Sequence, residues 1–274
     1  MLQGTRQDDN VFATTVGRPV PDGAGGWLYG HHWASCNRAP NGSFGPMKRL
    51  VERAPWQLGL DWWPGNEALK GAVLGRGATA ANLKPMPPFF QLPVALWESR
   101  EGDAVAIDQG GCAVADWLTE APASISASAL ADGRVLECGV RIDQGAALGV
   151  WFGTVPQPGL LQGPAPGLGP RDTDWRLAIL LDAQRGRLEF VRLMRSLGPS
   201  LVVQRHLGWV PWPVTRGLTH RLRVLVRGEC IEAYVDDRFA HGVVIPEGFD
   251  PTRCGFAVDR ADGVIRAPVL WGMK

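Results

Sequence analysis

The sequence predicts an all-β protein built around an antiparallel sandwich. Three observations carry that expectation. The 274 residues include 35 Gly and 22 Pro with no collagen-like period, and so many breakers disfavour helices and suit short strands joined by turns. Strand-like runs with period-two alternation recur after residue 100. No stretch carries the 3.6-residue apolar period of an amphipathic helix of ordinary length.

Taken in order, residues 1–100 are turn-rich. Strand candidates at 26–34, 46–51 and 70–74 are broken by Pro40-Asn41-Gly42, by Trp63-Pro64-Gly65 and by Lys84-Pro85-Met86-Pro87-Pro88. The Pro-rich stretch 84–93 is stiff and poor in backbone donors, which suits a strap between domains and places a boundary near residue 100. Beyond it the alternation is regular. Leu136, Cys138, Val140 and Ile142 oppose Glu137, Gly139 and Arg141; Leu188 and Phe190 oppose Arg187 and Glu189. Leu222, Val224 and Val226 oppose Arg221, Arg223 and Arg227; Ile231, Ala233 and Val235 oppose Glu232, Tyr234 and Asp236. Such strands have one face in a core and one wet face. Further candidates are 146–152, 175–182, 200–205, 241–245, 253–258 and 263–271, with 156–170 a Pro/Gly loop. About ten short strands at this spacing indicate a sandwich or barrel over 101–274.

Composition excludes several function classes. Apolar residues make up 45% of the chain and the formal net charge is +1. This describes a globular protein without the dense basic surface that nucleic acid or an anionic membrane would require. No apolar run reaches the ~18 residues of a membrane span, and the first residues, MLQGTRQDDNVF, show no signal-peptide core. Cys36, Cys112, Cys138, Cys230 and Cys254 are odd in number, widely spaced and free of C-x-x-C, which argues against a zinc site or a disulfide framework. Reduced cysteines and no visible leader point to the cytoplasm.

The chain has no P-loop, no G-x-S-x-G and no H-E-x-x-H. His31 and His32 are adjacent on a strand candidate and point to opposite faces, so they do not easily pair on one metal ion; one of them, His32, in a polar cleft and a purely structural role for both are the other readings. Seven of the twelve Trp precede residue 120, among them Trp33, Trp62 and Trp63. An indole offers a flat apolar face and one N–H, which matches the C–H face of a sugar; a Trp-rich core is the plainer reading. Asp61, just before Trp62-Trp63, is placed to hold hydroxyls or to close a turn. Arg76 is placed to meet a carboxylate or hydroxyl, or to form a structural ion pair. The candidate sugar-contacting set is thus Trp62, Trp63, Asp61, Trp33, His32 and Arg76, with no catalytic residue, no metal ligand and no cofactor assigned.

The run Ile231-Glu232-Ala233-Tyr234-Val235-Asp236 resembles the C-terminal sandwich hairpin of family 32 glycoside hydrolases, the invertases, levanases and related β-fructosidases. Val140–Gly153, Asp174–Arg195 with a turn at Asp182–Gly186, and Val269–Met273 resemble other strands of that sandwich. Gln91–Leu96 resembles the Pro-bearing strand leading out of the catalytic propeller. Ser35–Pro46 resembles one blade of a five-bladed propeller. The resemblance implies a concanavalin-like sandwich over 101–274, preceded by a short propeller-like remnant over 1–100. It departs where chemistry resides. Ala39-Pro40-Asn41-Gly42 has Ala where the family's nucleophilic Asp stands, Arg171-Asp172 is followed by Thr173 rather than Pro, and Arg227-Gly228-Glu229 replaces Asp-Arg-Ser. Glu137-Cys138 and Glu229-Cys230 imitate the acid/base motif within sandwich strands. A full propeller needs about five four-stranded blades, more than 100 residues supply.

These features imply a family-32-like protein that acts on or binds fructose-containing or similar sugars without being catalytic alone. Its partners would be an oligo- or polysaccharide, with a propeller-bearing chain or a second copy completing the assembly; nucleic acid and membrane are not expected. A lectin-like binding module with sugar on exposed indoles, and a purely structural or interaction sandwich with the Arg221, Arg223, Arg227 row as a solvated face, are the alternatives.

Overall fold

The computed structural model describes residues 14–16, 18–33, 43–78, 82–85, 97–100, 104–107, 112–117, 133–155, 175–195, 202–227, 230–244 and 250–274. The strands before residue 120 are short: β1 (Thr14–Val16), β2 (Val20–Pro21), β3 (Trp27–Tyr29), β4 (His31–Trp33), β5 (Ser43–Phe44), β6 (Lys48–Ala54), β7 (Gln57–Trp62), β8 (Lys70–Arg76), β9 (Leu83–Pro85), β10 (Trp97–Arg100), β11 (Ala104–Ile107) and β12 (Cys112–Trp117). The later strands are β13 (Arg134–Val155), β14 (Trp175–Asp182), β15 (Arg187–Arg195), β16 (Val202–Pro211), β17 (Thr219–Arg227), β18 (Cys230–Val235), β19 (Arg238–Val244) and β20 (Asp250–Met273). A two-turn 3-10 helix, Pro64–Leu69, joins β7 to β8. No helix among the described residues is long and apolar enough to cross a membrane. The fold is all-β, as the Gly/Pro content and alternation predict.

Two long strands organise the sandwich. The first half of β13 pairs antiparallel with β17, and β18 and β19 continue that layer. Its second half pairs with β14, followed by β15 and β16. β20 runs antiparallel beside β13 along almost its whole length. The layers close over one apolar core in which Leu136, Val224 and Ile231 meet Val150, Ile179 and Phe190, each at most 1% exposed. The Phe190 ring meets His241 of the facing layer edge-on, with centroids 5.3 Å apart.

The sequence predicts separate strands at 135–142 and 146–152, and again at 253–258 and 263–271. Each pair is one continuous strand. The chain turns the corner through a register shift between Ile142 and Gln144 and through Gly145, whose φ is +86°. A Cβ on Gly145 would lie 2.0 Å from the Arg260 carbonyl oxygen, so only glycine lets the strands cross there. A bulge bends a strand without ending its ladder, which is why two sequence segments fuse.

The other departure concerns the face read as wet. Tyr29, Leu60 and Trp62 of the N-terminal strands pack on Val135, Leu225, Tyr234, Phe239 and Met273 in a second apolar cluster. Beneath this cover Glu137, Arg223, Glu232 and Tyr234 are buried. The Arg221, Arg223, Arg227 row is therefore not a uniformly solvated face. Strands from both sides of residue 100 are hydrogen-bonded together: β8 to β20, and β9 to β12. The expected strap begins as strand β9; residues 86–93 lie outside the described set, as do the loop 156–170 and the sequences Ser35–Gly42, Gln91–Leu96 and Arg171–Thr173. Cys138, Cys230 and Cys254 are free thiols, and burial pushes the Cys138 thiol far up.

Candidate functional site

Gly45–Met47 just before β6, Trp63 just after β7 and the 3-10 helix enclose a cavity against β17, β18 and β20. Trp63 precedes the helix and Pro64 occupies its first turn, where a fixed φ and a missing N–H cost nothing. The Trp63 ring folds over Gly65: a Cβ there would come within 2.3 Å of it. Asn66 is 3% exposed, and its Nδ2 donates to the Met47 carbonyl at 2.6 Å, tying helix to strand. The resulting cavity has a volume of about 290 Å³, near the lower end for small-molecule sites. Met47, Trp63, Leu225 and Met273 form apolar walls, while Asn66, Arg227, Cys230 and Glu232 bring polar atoms.

A buried ion pair lies at the Glu232 wall. Lys48 is fully buried and its Nζ lies 2.9 Å from Glu232 Oε2. The same Nζ donates to the Pro46 carbonyl at 3.1 Å and sits 4.8 Å from the Phe239 ring centroid. The Tyr234 hydroxyl donates to Glu232 Oε2 at 2.7 Å. Burial pulls the Lys48 pKa down, and the Glu232 carboxylate opposes that pull. Burial also pushes the Tyr234 phenol well up, and the neighbouring Glu232 charge adds to the rise. Lys48 Nζ also donates to Glu232 Oε1 at 3.2 Å, so both Glu232 oxygens are held by donors and its charge is spent within the protein.

Beside it a larger cluster fixes Trp62. Arg223, 1% exposed, stacks its guanidinium 4.0 Å from the Trp62 ring centroid. Its Nε donates to Glu137 Oε1 at 2.5 Å and its Nη1 to Asp237 Oδ1 at 2.7 Å. Arg221 Nη2 donates to Glu137 Oε2 at 2.8 Å, and Lys70 Nζ lies 2.7 Å from Glu137 Oε1. Burial alone would raise the Glu137 pKa, but hydrogen bonds from Lys70, Arg221 and Arg223 overcome it and hold the carboxyl at about 2. Asp237 is available because β18 and β19 are joined by Asp236-Asp237, both at positive φ, the geometry of a two-residue hairpin turn. The Asp237 carbonyl accepts the Trp62 backbone N–H at 2.6 Å.

The candidate residues divide accordingly. Trp63 is half-buried and lines the cavity. Trp62 is 6% exposed, edge-on to Tyr234 with centroids 5.2 Å apart, and its Nε1 donates to Glu67 Oε1 at 2.9 Å. Its ring is a core element and not a stacking platform. Asp61 lies in strand β7 rather than a turn and pairs with Arg53 across the hairpin. Arg76 is exposed on β8 opposite Val269; no ion pair to it occurs among the described residues. His32 and Trp33 lie in β4, between β1 and β5, and their side chains fall outside the described set. No group of three His, Cys, Asp or Glu able to hold a metal occurs among the described residues.

Arg227, Glu232, Lys48 and Asn66 were not among the candidates. Arg227 and Glu232 stand on the strand face assigned to solvent, and only the covering N-terminal strands make that face a wall. Trp56 is a further surprise: it is 97% exposed at the β6–β7 turn with φ +67°, a conformation bulky residues avoid.

No protein-family model matches the sequence, and no curated protein matches it. Among solved structures, the chain is similar to the carbohydrate-binding module CBM66 from Bacillus subtilis at 12% identity and TM-score 0.48, over 69% of this chain and 95% of that one. It is similar to the galectin LEC-6 of Caenorhabditis elegans at 10% identity and TM-score 0.35, over 70% of this chain and 99% of that one. It is also similar to the sucrose-6-phosphate hydrolase of Lactobacillus gasseri at 11% identity and TM-score 0.42, over 91% of this chain and 39% of that one.

Proposed function

We propose that the chain is a saccharide-binding β-sandwich whose site is the cavity beside Trp63. The observation that carries this reading is an indole wall facing a cavity that mixes apolar side chains with amide and guanidinium donors. A sugar has the complementary surface, a C–H face for the ring and hydroxyls for the polar rim. Binding is favoured over hydrolysis. Glycoside cleavage needs two carboxylates across the scissile bond, whereas among the described residues Glu232 is the carboxylate on the cavity wall and Lys48 and Tyr234 hold it. The finer reading, a fructose-containing sugar and a propeller-bearing partner, is supported by the family-32-like run Ile231–Asp236.

The test is calorimetric titration with sucrose, levan and inulin oligosaccharides and with galactose- and glucose-based glycans. Trp63→Ala should weaken binding about tenfold or more, the loss expected for one aromatic stack, with the melting temperature nearly unchanged; Trp63→Phe should restore most of the affinity. Binding untouched by Trp63→Ala overturns the site.

A further inference from the structure

We infer that the saccharide is acidic and that Arg227 reads its carboxylate. This rests on the saccharide reading of the cavity. The strand face Arg221, Arg223, Leu225, Arg227 carries three guanidinium groups, and their fates differ. Arg221 and Arg223 are each tied to Glu137 and Asp237. Arg227, the last residue of β17, lines the cavity, is exposed, and makes no ion pair or hydrogen bond among the described residues. The carboxylate on the same wall, Glu232, does not compensate it, because Lys48 Nζ lies 2.9 Å away and neutralises it. Among the described residues, the cavity wall therefore holds one uncompensated positive charge beside apolar surface.

That combination selects a ligand. A guanidinium presents a planar fork of donors that matches a carboxylate in two parallel hydrogen bonds. A neutral sugar offers that fork hydroxyl acceptors without charge and gains less from it. A uronic acid residue places its carboxylate on the ring edge, so the C–H face can rest on Trp63 while the acid turns to Arg227. Partial exposure of Arg227 makes the attraction sensitive to salt.

The experiment compares galacturonic acid trisaccharide with the matched galactose trisaccharide by calorimetry, at low and physiological salt, and with 6-sulfated galactose as a third probe. The uronate should bind about tenfold or more tightly than the neutral sugar, as one charge-assisted contact provides, and salt should narrow the gap. Arg227→Gln should bring the uronate down to the affinity of the neutral sugar for the same variant, with the melting temperature unchanged. Arg227→Lys should keep charge attraction but lose the advantage of uronate over sulfate. Equal binding of acidic and neutral sugars overturns this inference and leaves the saccharide site standing. A preference that survives Arg227→Gln overturns it too. Failure of every sugar to bind overturns both.

Discussion

The two faces of the β17–β18 pair are built on opposite principles, although the centre of each is buried. The inner face, Leu222, Val224, Val226, Ile231, Ala233 and Val235, is apolar throughout and packs into the inter-sheet core. It is held by area removed from water, about 25 cal/mol per Å², and by close packing. The outer face, Arg223, Glu232 and Tyr234, is covered by Trp62 and Lys48 and is held by matched charge. A buried ion pair roughly breaks even against an apolar pair of the same shape, but a broken one leaves a costly orphan. The inner face tolerates a lost methyl in proportion to the hole it leaves. The outer face fails by its least satisfied charge.

The largest expected effect breaks the outer face. Glu232→Ala strands Lys48 in the second apolar cluster and should cost about 3–5 kcal/mol, read as a lowered urea midpoint. The double variant Lys48→Met, Glu232→Leu should recover most of that loss; if it is as unstable as the single variant, the charge pair is not what the outer face lacks.

A smaller effect sharpens the comparison through pH. The folded Glu137 carboxyl is held at about 2, against 4.5 for the free group. The folded value is the lower one, so its contribution is fully present above 4.5 and is lost as pH falls toward 2. The amount is on the order of 2 kcal/mol once solvent screening is allowed for. Glu137→Gln should flatten the stability curve between pH 4.5 and 2. Val224 and its inner-face neighbours carry no charge, so their variants should shift the curve without changing its slope.

The smallest effect lies outside both faces. Trp56 sits in the left-handed region at a turn that suits Gly. Trp56→Gly should raise stability by about 1 kcal/mol through relief of that strain, seen as a higher melting temperature.

Much of the sandwich was legible. Alternation at Leu136–Ile142 and Leu222–Val226 gives the correct inner face, because the period of a strand is fixed by its pleat. The outer face was misread because a charged residue looks the same in sequence whether water or another strand covers it. Arg223 and Arg227 illustrate this: four residues apart on one face, the first is buried under an indole and the second is open. The corner at Gly145 was invisible because a bulge leaves apolar alternation on both sides intact. Of the two adjacent indoles, Trp63 lines the candidate cavity, and the alternation within β7 buries Trp62. Trp63 follows the strand and remains half-open on the cavity. The cavity itself joins Met47 to Leu225 and Met273, a proximity that no local run of sequence encodes.

The pairing of β13 with β20 makes assembly of this molecule a long-range event. β14 through β19 lie between the two strands in sequence, yet the register joins them almost end to end. Such contacts reward the chain only after a large loop has closed, which slows folding relative to a protein of local hairpins. Until β20 arrives, one whole edge of a 22-residue strand stands unpaired and rich in Val, Leu and Ala, a template for another chain as much as for its own partner. Refolding yield should therefore depend on dilution far more than on the strength of either core.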